Sequence, residues 1–139
     1  MGDPTRPLVF FASLIGLVLA CAAFLVVLRS WRRQRERDTW SALAVRFPAS
    51  DRAYEGTRFV YPNATGEVIV GEDGFRASPS PELLPIDVPW SEVRSVKAGV
   101  GGGLRVHVRG GVVMLPGRAS ATVAQIIQRR AQRRRQAPA

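Results

Sequence analysis

From Leu8 to Leu28 the chain runs 21 residues without a charge, LVFFASLIGLVLACAAFLVVL. A segment apolar on every side has no face to turn to water, and as a helix rising 1.5 Å per residue it measures about 31 Å, the thickness of a bilayer's hydrocarbon core. A spanning helix is therefore expected over 8–28, behind a short N-terminal segment, 1–7. A basic juxtamembrane stretch, 29–39, follows. Then Trp40, Leu43, Ala44 and Phe47 recur at i, i+3, i+4 and i+7, which predicts a short amphipathic helix capped by Asp38 or Thr39 and ended before Pro48.

Beyond Thr57 the period changes to two. TRFVY, GEVIV, FRAS, SVKAG, LRVHVR and VVML read as short strands, with Gly71-Glu72-Asp73-Gly74 and Gly110-Gly111 as hairpin turns, because glycine takes positive φ without a steric penalty. Leu104, Val106 and Val108 share one face of their run while Arg105, His107 and Arg109 share the other, the mark of a strand with one wet side. The proline-rich stretch PSPELLPIDVP reads as a connector, since proline donates no ladder hydrogen bond. A last helix opens at Gly117 or Ser120, with Val123, Ile126 and Ile127 as its apolar stripe, and runs out into a solvated arginine-rich tail, 129–139. The fold expected for 40–128 is a small β-rich α+β domain of six or seven antiparallel strands with a C-terminal helix.

Composition sharpens this picture chiefly through charge. In 139 residues 20 Lys+Arg face 11 Asp+Glu, a formal net charge of +9, and Lys97 is the single lysine. The mean hydropathy of zero averages an apolar span against a polar remainder. Length and composition exclude a multidomain enzyme, a disulfide scaffold and a fully disordered chain. Arg29, Arg32, Arg33, Arg35 and Arg37 follow the span whereas Arg6 alone precedes it, so the rule that positive flanks stay inside predicts a cytoplasmic C-terminal part and an external N-terminus. Trp31 stands at the same edge, where an amphipathic indole is at home. Val18-Leu19-Ala20-Cys21 also looks like a lipobox, which would put the domain outside, but the apolar run continues through AAFLVVL and favours an uncleaved anchor. Cys21 is the only cysteine and reads as a small apolar residue in the span. Ala12, Ser13, Gly16, Ala20 and Ala23 are small enough to permit close approach of another helix.

Candidate chemistry is sparse. His107 is the sole histidine and lies on a polar strand face, which is not a metal-ligand pattern. Gly99-Val100-Gly101-Gly102-Gly103 starts like a dinucleotide loop, but Leu104 stands where the third glycine belongs and a strand follows. Ser78 and Ser80 have no histidine base in reach of the pattern, Glu72 and Asp73 are hairpin-tip acids, and Glu92 has no second carboxylate at an acid–base spacing. Asn63-Ala64-Thr65 matches a glycosylation triplet that a cytoplasmic domain would not use. No catalytic, metal or cofactor residue is nominated and no enzyme activity is expected.

Gly74-Phe75 followed by Pro85-Ile86-Asp87-Val88-Pro89-Trp90-Ser91-Glu92-Val93, with Trp40-Ser41-Ala42-Leu43-Ala44 and Phe47-Pro48 upstream, resembles small bacterial single-pass membrane proteins of unknown function. That resemblance covers 40–127 and implies a pleckstrin-homology-like half-open barrel plugged by the C-terminal helix, in a bacterial inner membrane. It brings no assigned active site. On the residues themselves, Trp90 continues the alternation of Ile86 and Val88 and is expected inside the barrel end.

Two arginine clusters remain. Arg29, Arg32, Arg33, Arg35 and Arg37 are accounted for by topology, whereas Arg129, Arg130, Arg133, Arg134 and Arg135 are not, and both sets are candidates for contact with anionic lipid. The expected function is a membrane-anchored, non-enzymatic interaction module with a protein partner. The alternative is a membrane-tethered binder of nucleic acid or another polyanion.

Overall fold

The computed structural model describes residues 5–62 and 65–138. Asn63 and Ala64 of the glycosylation-like triplet lie outside the described residues. The chain divides into two compact units, Met1–Asp38 and Thr39–Ala139.

The first unit is helical throughout its described part. Helix α1, Thr5–Arg46, is long and apolar enough to cross a membrane by length and composition, with none of its apolar window buried in the protein. Two elements were expected here and one is found. No glycine or proline interrupts Arg29–Arg46, and arginine, glutamine and glutamate are good helix formers, so the backbone has no reason to break. Asp38 and Thr39 consequently lie inside α1 and cap nothing.

The second unit opens on the last two turns of α1 and continues as two antiparallel sheets. β1 (Thr57–Val60), β2 (Glu67–Val70), β3 (Gly74–Ser78) and β4 (Ile86–Pro89) form the first sheet in that order. β5 (Val93–Ala98), β6 (Leu104–Val108) and β7 (Gly111–Leu115) form the second. No closed barrel results. Single-turn 3-10 helices at Trp90–Glu92, Val100–Gly102 and Gly117–Ala119 join the elements, and α2, Ser120–Gln136, ends the domain.

Three expectations need correction. Ile86–Pro89 is a strand and not part of a connector: it lies at the sheet's edge, where only one side must supply ladder bonds, and Pro89 stands at its very end. The tight turn between β6 and β7 is Arg109-Gly110, with Gly110 at φ 102° and Gly111 already in β7. The arginine-rich tail is helical as far as Gln136, because its Arg, Gln and Ala residues all favour helix and nothing in them stops α2.

The core lies between the sheets, α2 and the end of α1. Leu43, Phe75, Ile86, Val106, Val113 and Val123 are at most 1% exposed. Leu43 and Ala44 enter it from α1 and Phe47 from the turn just past it, while Trp40 packs at its margin and donates its indole N–H to the Leu84 carbonyl at 2.8 Å. Val106 and Val108 are buried as the alternation required, and Arg105 and Arg109 are exposed. On α2, Val123 and Ile126 are buried, but Ile127 is 37% exposed.

Trp90 closes the junction between the sheets at 6% exposure. Its ring lies 5.5 Å from that of Phe75, and its Nε1–H donates to the Gly71 carbonyl at 2.9 Å. It is core, as the alternation from Ile86 and Val88 predicts.

A polar clamp holds the segment after α1 to the first sheet. Arg76 Nε donates to Asp87 Oδ1 at 2.6 Å and Nη2 to Oδ2 at 2.8 Å, across the β3–β4 pair. Nη2 also donates to the Ser50 carbonyl at 2.7 Å, and the Ser50 N–H donates to Asp87 Oδ2 at 2.9 Å. Partial burial opposes ionisation of Asp87, but the Arg76 hydrogen bonds, the Ser50 N–H and the Arg76 charge outweigh it and hold the carboxyl below its ordinary range. Above the clamp, Tyr54 lies 5.2 Å from the Arg76 guanidinium; burial, with help from Asp87 and Asp73, pushes its phenol up to about 12.

Candidate functional site

An apolar concavity of the domain lies between β5 and α2. Its origin is a fault in alternation. The β5–β6 register slips between Val93 and Ser95, so Val93 pairs with Val108 and Val96 pairs with Val106. Cross-strand partners share a face, and the bulge thereby turns both valines, three residues apart, to the side occupied by the buried Val106 and Val108. That spacing hid Val93 from a period-two reading, which began the strand at Ser95.

Val93, Val96 and Leu104 are only half-buried, since α2 does not lie flat on them. The result is a groove of about 1000 Å³ floored by Trp90, Val93, Val96, Leu104, Val123 and Ile127. Arg94, Arg130, Arg134 and Arg135 form its rim.

The arginines nominated from the sequence divide into those with partners and those without. Arg29, Arg32, Arg33, Arg35 and Arg37 lie on the exposed surface of α1 in the first unit. In the second unit, Arg129 Nη1 pairs with Glu72 Oε1 at 3.2 Å, and Arg130 Nη1 donates to the Glu72 carbonyl at 3.0 Å. These two pin α2 to the β2–β3 turn. Arg133, Arg134 and Arg135 are exposed in the last turn of α2, where the helix's negative end favours cations. Arg94, Arg133, Arg134 and Arg135 make no side-chain hydrogen bond or ion pair among the described residues. Arg94 was not nominated: it stands alone in sequence, and only the fold brings it beside Arg134 and Arg135.

A second, more polar hollow of about 720 Å³ lies on another side of α2 and includes Ser50, Tyr54, Asp73, Gln125 and Arg129. Its Arg129 is already paired with Glu72, and of the clamp residues only Ser50 reaches it. His107 is half-exposed on β6, and among the described residues no three His, Cys, Asp or Glu side chains gather where they could hold a metal ion. Glu72 and Asp73 occupy the β2–β3 turn, as expected, with the Gly71 N–H donating to the Gly74 carbonyl at 2.9 Å. The Gly99–Gly103 stretch is a loop, with Gly101 and Gly102 at φ 77° and 82°. What the groove offers chemically is apolar surface ringed by fixed positive charge, a means of binding.

Comparison with protein-family models, with curated proteins and with solved structures finds no match. The class the structure defines stands on its own geometry: a helix long and apolar enough to span a membrane, and a two-sheet antiparallel domain with a C-terminal helix.

Proposed function

We propose that this is a single-pass protein of a bacterial inner membrane whose cytoplasmic, pleckstrin-homology-like domain works by binding, with arginines of 29–37 and of the end of α2 lying against the anionic leaflet. The observation that carries the reading is the set of exposed arginines without partners at the end of α2, in a chain that also bears a span-length apolar helix. A cation at an anionic leaflet gains about 1 kcal/mol, and tethering holds it at high effective concentration there. Five arginines after the apolar run against one before it support the cytoplasmic placement. The two-sheet domain with a C-terminal helix is the coarse architecture that the pleckstrin-homology-like resemblance implies.

The test uses the full chain in bilayers, with Cys21→Ser freeing a unique label at Ala137→Cys. Quenching of the label by a headgroup-borne quencher should be stronger in anionic than in zwitterionic bilayers. High salt, or Arg133→Gln with Arg134→Gln and Arg135→Gln, should erase the difference. Equal quenching in both bilayers overturns the leaflet contact. Tight oligonucleotide binding with a steep salt dependence in zwitterionic bilayers would instead favour the polyanion alternative.

A further inference from the structure

The groove between β5 and α2 is polarised along its length. Val93, Val96 and Leu104 line it from the sheet and Val123 and Ile127 from the helix, so a guest lies between two apolar rows. At one end the pairs Ala98–Leu104 and Leu104–Leu115 set the close of β5 beside the strand that leads through Gly117–Ala119 into α2, and Leu104 and Val123 share that end. At the other, the Trp90 backbone N–H donates to the Asp73 carbonyl at 3.0 Å and Arg130 Nη1 to the Glu72 carbonyl at 3.0 Å. The β2–β3 turn thereby holds the approach to β5 against the second half of α2, which brings Arg94 to the end that carries Arg134 and Arg135. On α2 the change runs down one face: Val123, Ile127, Ala131 and Arg134 stand at i, i+4, i+8 and i+11, about 17 Å along the axis.

The charge at that end is unanswered. No aspartate or glutamate occurs after Glu92, so β5–β7 and α2 bring cations alone, and Arg94, Arg134 and Arg135 make no side-chain hydrogen bond or ion pair among the described residues. An apolar slot with cations at one end fits a guest built of the same two parts, a chain and an anionic head. Other occupants fit one part only. A nucleic-acid strand would answer the arginines but leave the apolar rows uncovered, and Trp90, 6% exposed with its indole N–H spent on the Gly71 carbonyl, is no stacking platform. A second copy of this chain brings a net charge of +9 toward the same arginines. A phospholipid brings two tails to one slot.

We propose that the groove is a binding site for a long-chain fatty acid, whose acyl chain lies between β5 and α2 toward Leu104 and Val123 and whose carboxylate is held by Arg94, Arg134 and Arg135. This deepens the binding reading of the domain and rests on it, but it does not need the leaflet contact.

A fatty acid also dissolves in bilayers, so the decisive readout is position. The full chain in zwitterionic bilayers is given palmitic acid carrying a diazirine near its methyl end, and the sites of photolabelling are mapped by mass spectrometry. Labelling should concentrate around Leu104 and Val123, saturate, and be displaced by unlabelled palmitate but not by its uncharged methyl ester. Arg94→Glu with Arg134→Glu should lower that labelling tenfold or more, as should Ala124→Trp, which fills the slot from α2, while labelling of 8–28 by fatty acid dissolved in the bilayer stays unchanged. All three positions are exposed, so unchanged circular dichroism and thermal unfolding show that binding, and not folding, was lost. Equal displacement by the methyl ester, or full labelling of the double arginine variant, overturns the proposal. So does displacement by an oligonucleotide and not by palmitate; the groove is then a polyanion site. Labelling confined to 8–28 beside an intact quenching difference in the label experiment sinks the fatty acid alone, whereas loss of that difference sinks the leaflet contact alone and leaves this result standing.

Discussion

Trp90 shows how much one side chain can hold in a domain this small. It fills the junction of the two sheets against Phe75, and its indole N–H satisfies the carbonyl of the buried Gly71. Trp90→Ala removes both, and large-to-small aromatic changes in cores cost about 3–5 kcal/mol, a large share of a small domain's stability. Trp90→Phe keeps the ring contact but orphans the carbonyl, at about 1–3 kcal/mol. Chemical denaturation of the full chain in micelles should rank the native protein above Trp90→Phe and Trp90→Ala last. A Trp90→Ala protein as stable as the parent would make Trp90 a contact surface of the groove it floors. The same side chain marks what could be read from sequence: Ile86, Val88 and Trp90 alternate, and their shared inward face was legible because nothing interrupts the pleat between them.

At the level of elements, the Arg76–Asp87 clamp adds polar ties between three pieces of chain, β3, β4 and the segment around Ser50. Asp87 is held below its ordinary pKa, so it binds fewer protons folded than unfolded. Its contribution is therefore complete above the unfolded value of about 4 and is lost as pH falls through the lower folded value. Asp87→Asn should destabilise the domain by about 1.5–3 kcal/mol at neutral pH, the range for hydrogen bonds to charged groups. The gap to the parent should narrow as unfolding is measured below about pH 4. Parallel stability curves across that range would show that Asp87 is not the titrating group. No sequence pattern announced this clamp, since Ser50, Arg76 and Asp87 are far apart in the chain and meet only through the β3–β4 register.

For the whole molecule, the proposed arrangement across a membrane can be tested directly. A reporter active only in the cytoplasm, fused after Ala139, should be active, and one active only outside should be silent. The asymmetry of arginines around the apolar run motivates the expectation. The opposite pattern would place the domain outside and revive the reading of Val18-Leu19-Ala20-Cys21 as a lipobox.

Local patterning alone was enough for the apolar helix, for the β-rich composition of 57–115 and for the buried Val106, Val108, Val123 and Ile126, though not for the exposed Ile127, because these depend on the period of side chains along one element. It failed where an element's fate depends on a neighbour. The edge position of β4 tolerates Pro89, which a central strand would not, and only sheet order reveals that. The bulge at Arg94 shifts Val93 into line with Val96 through pairing with β6, and the groove exists because of it. The arginines followed the same division. Those of 129–135 stood out as a run, but which are spent on Glu72, and that Arg94 joins the remainder, was decided by the packing of α2 across the sheets. Side-chain period is written along the chain; pairing across distant segments is not, because its free energy comes from contacts that exist only once the chain has closed on itself.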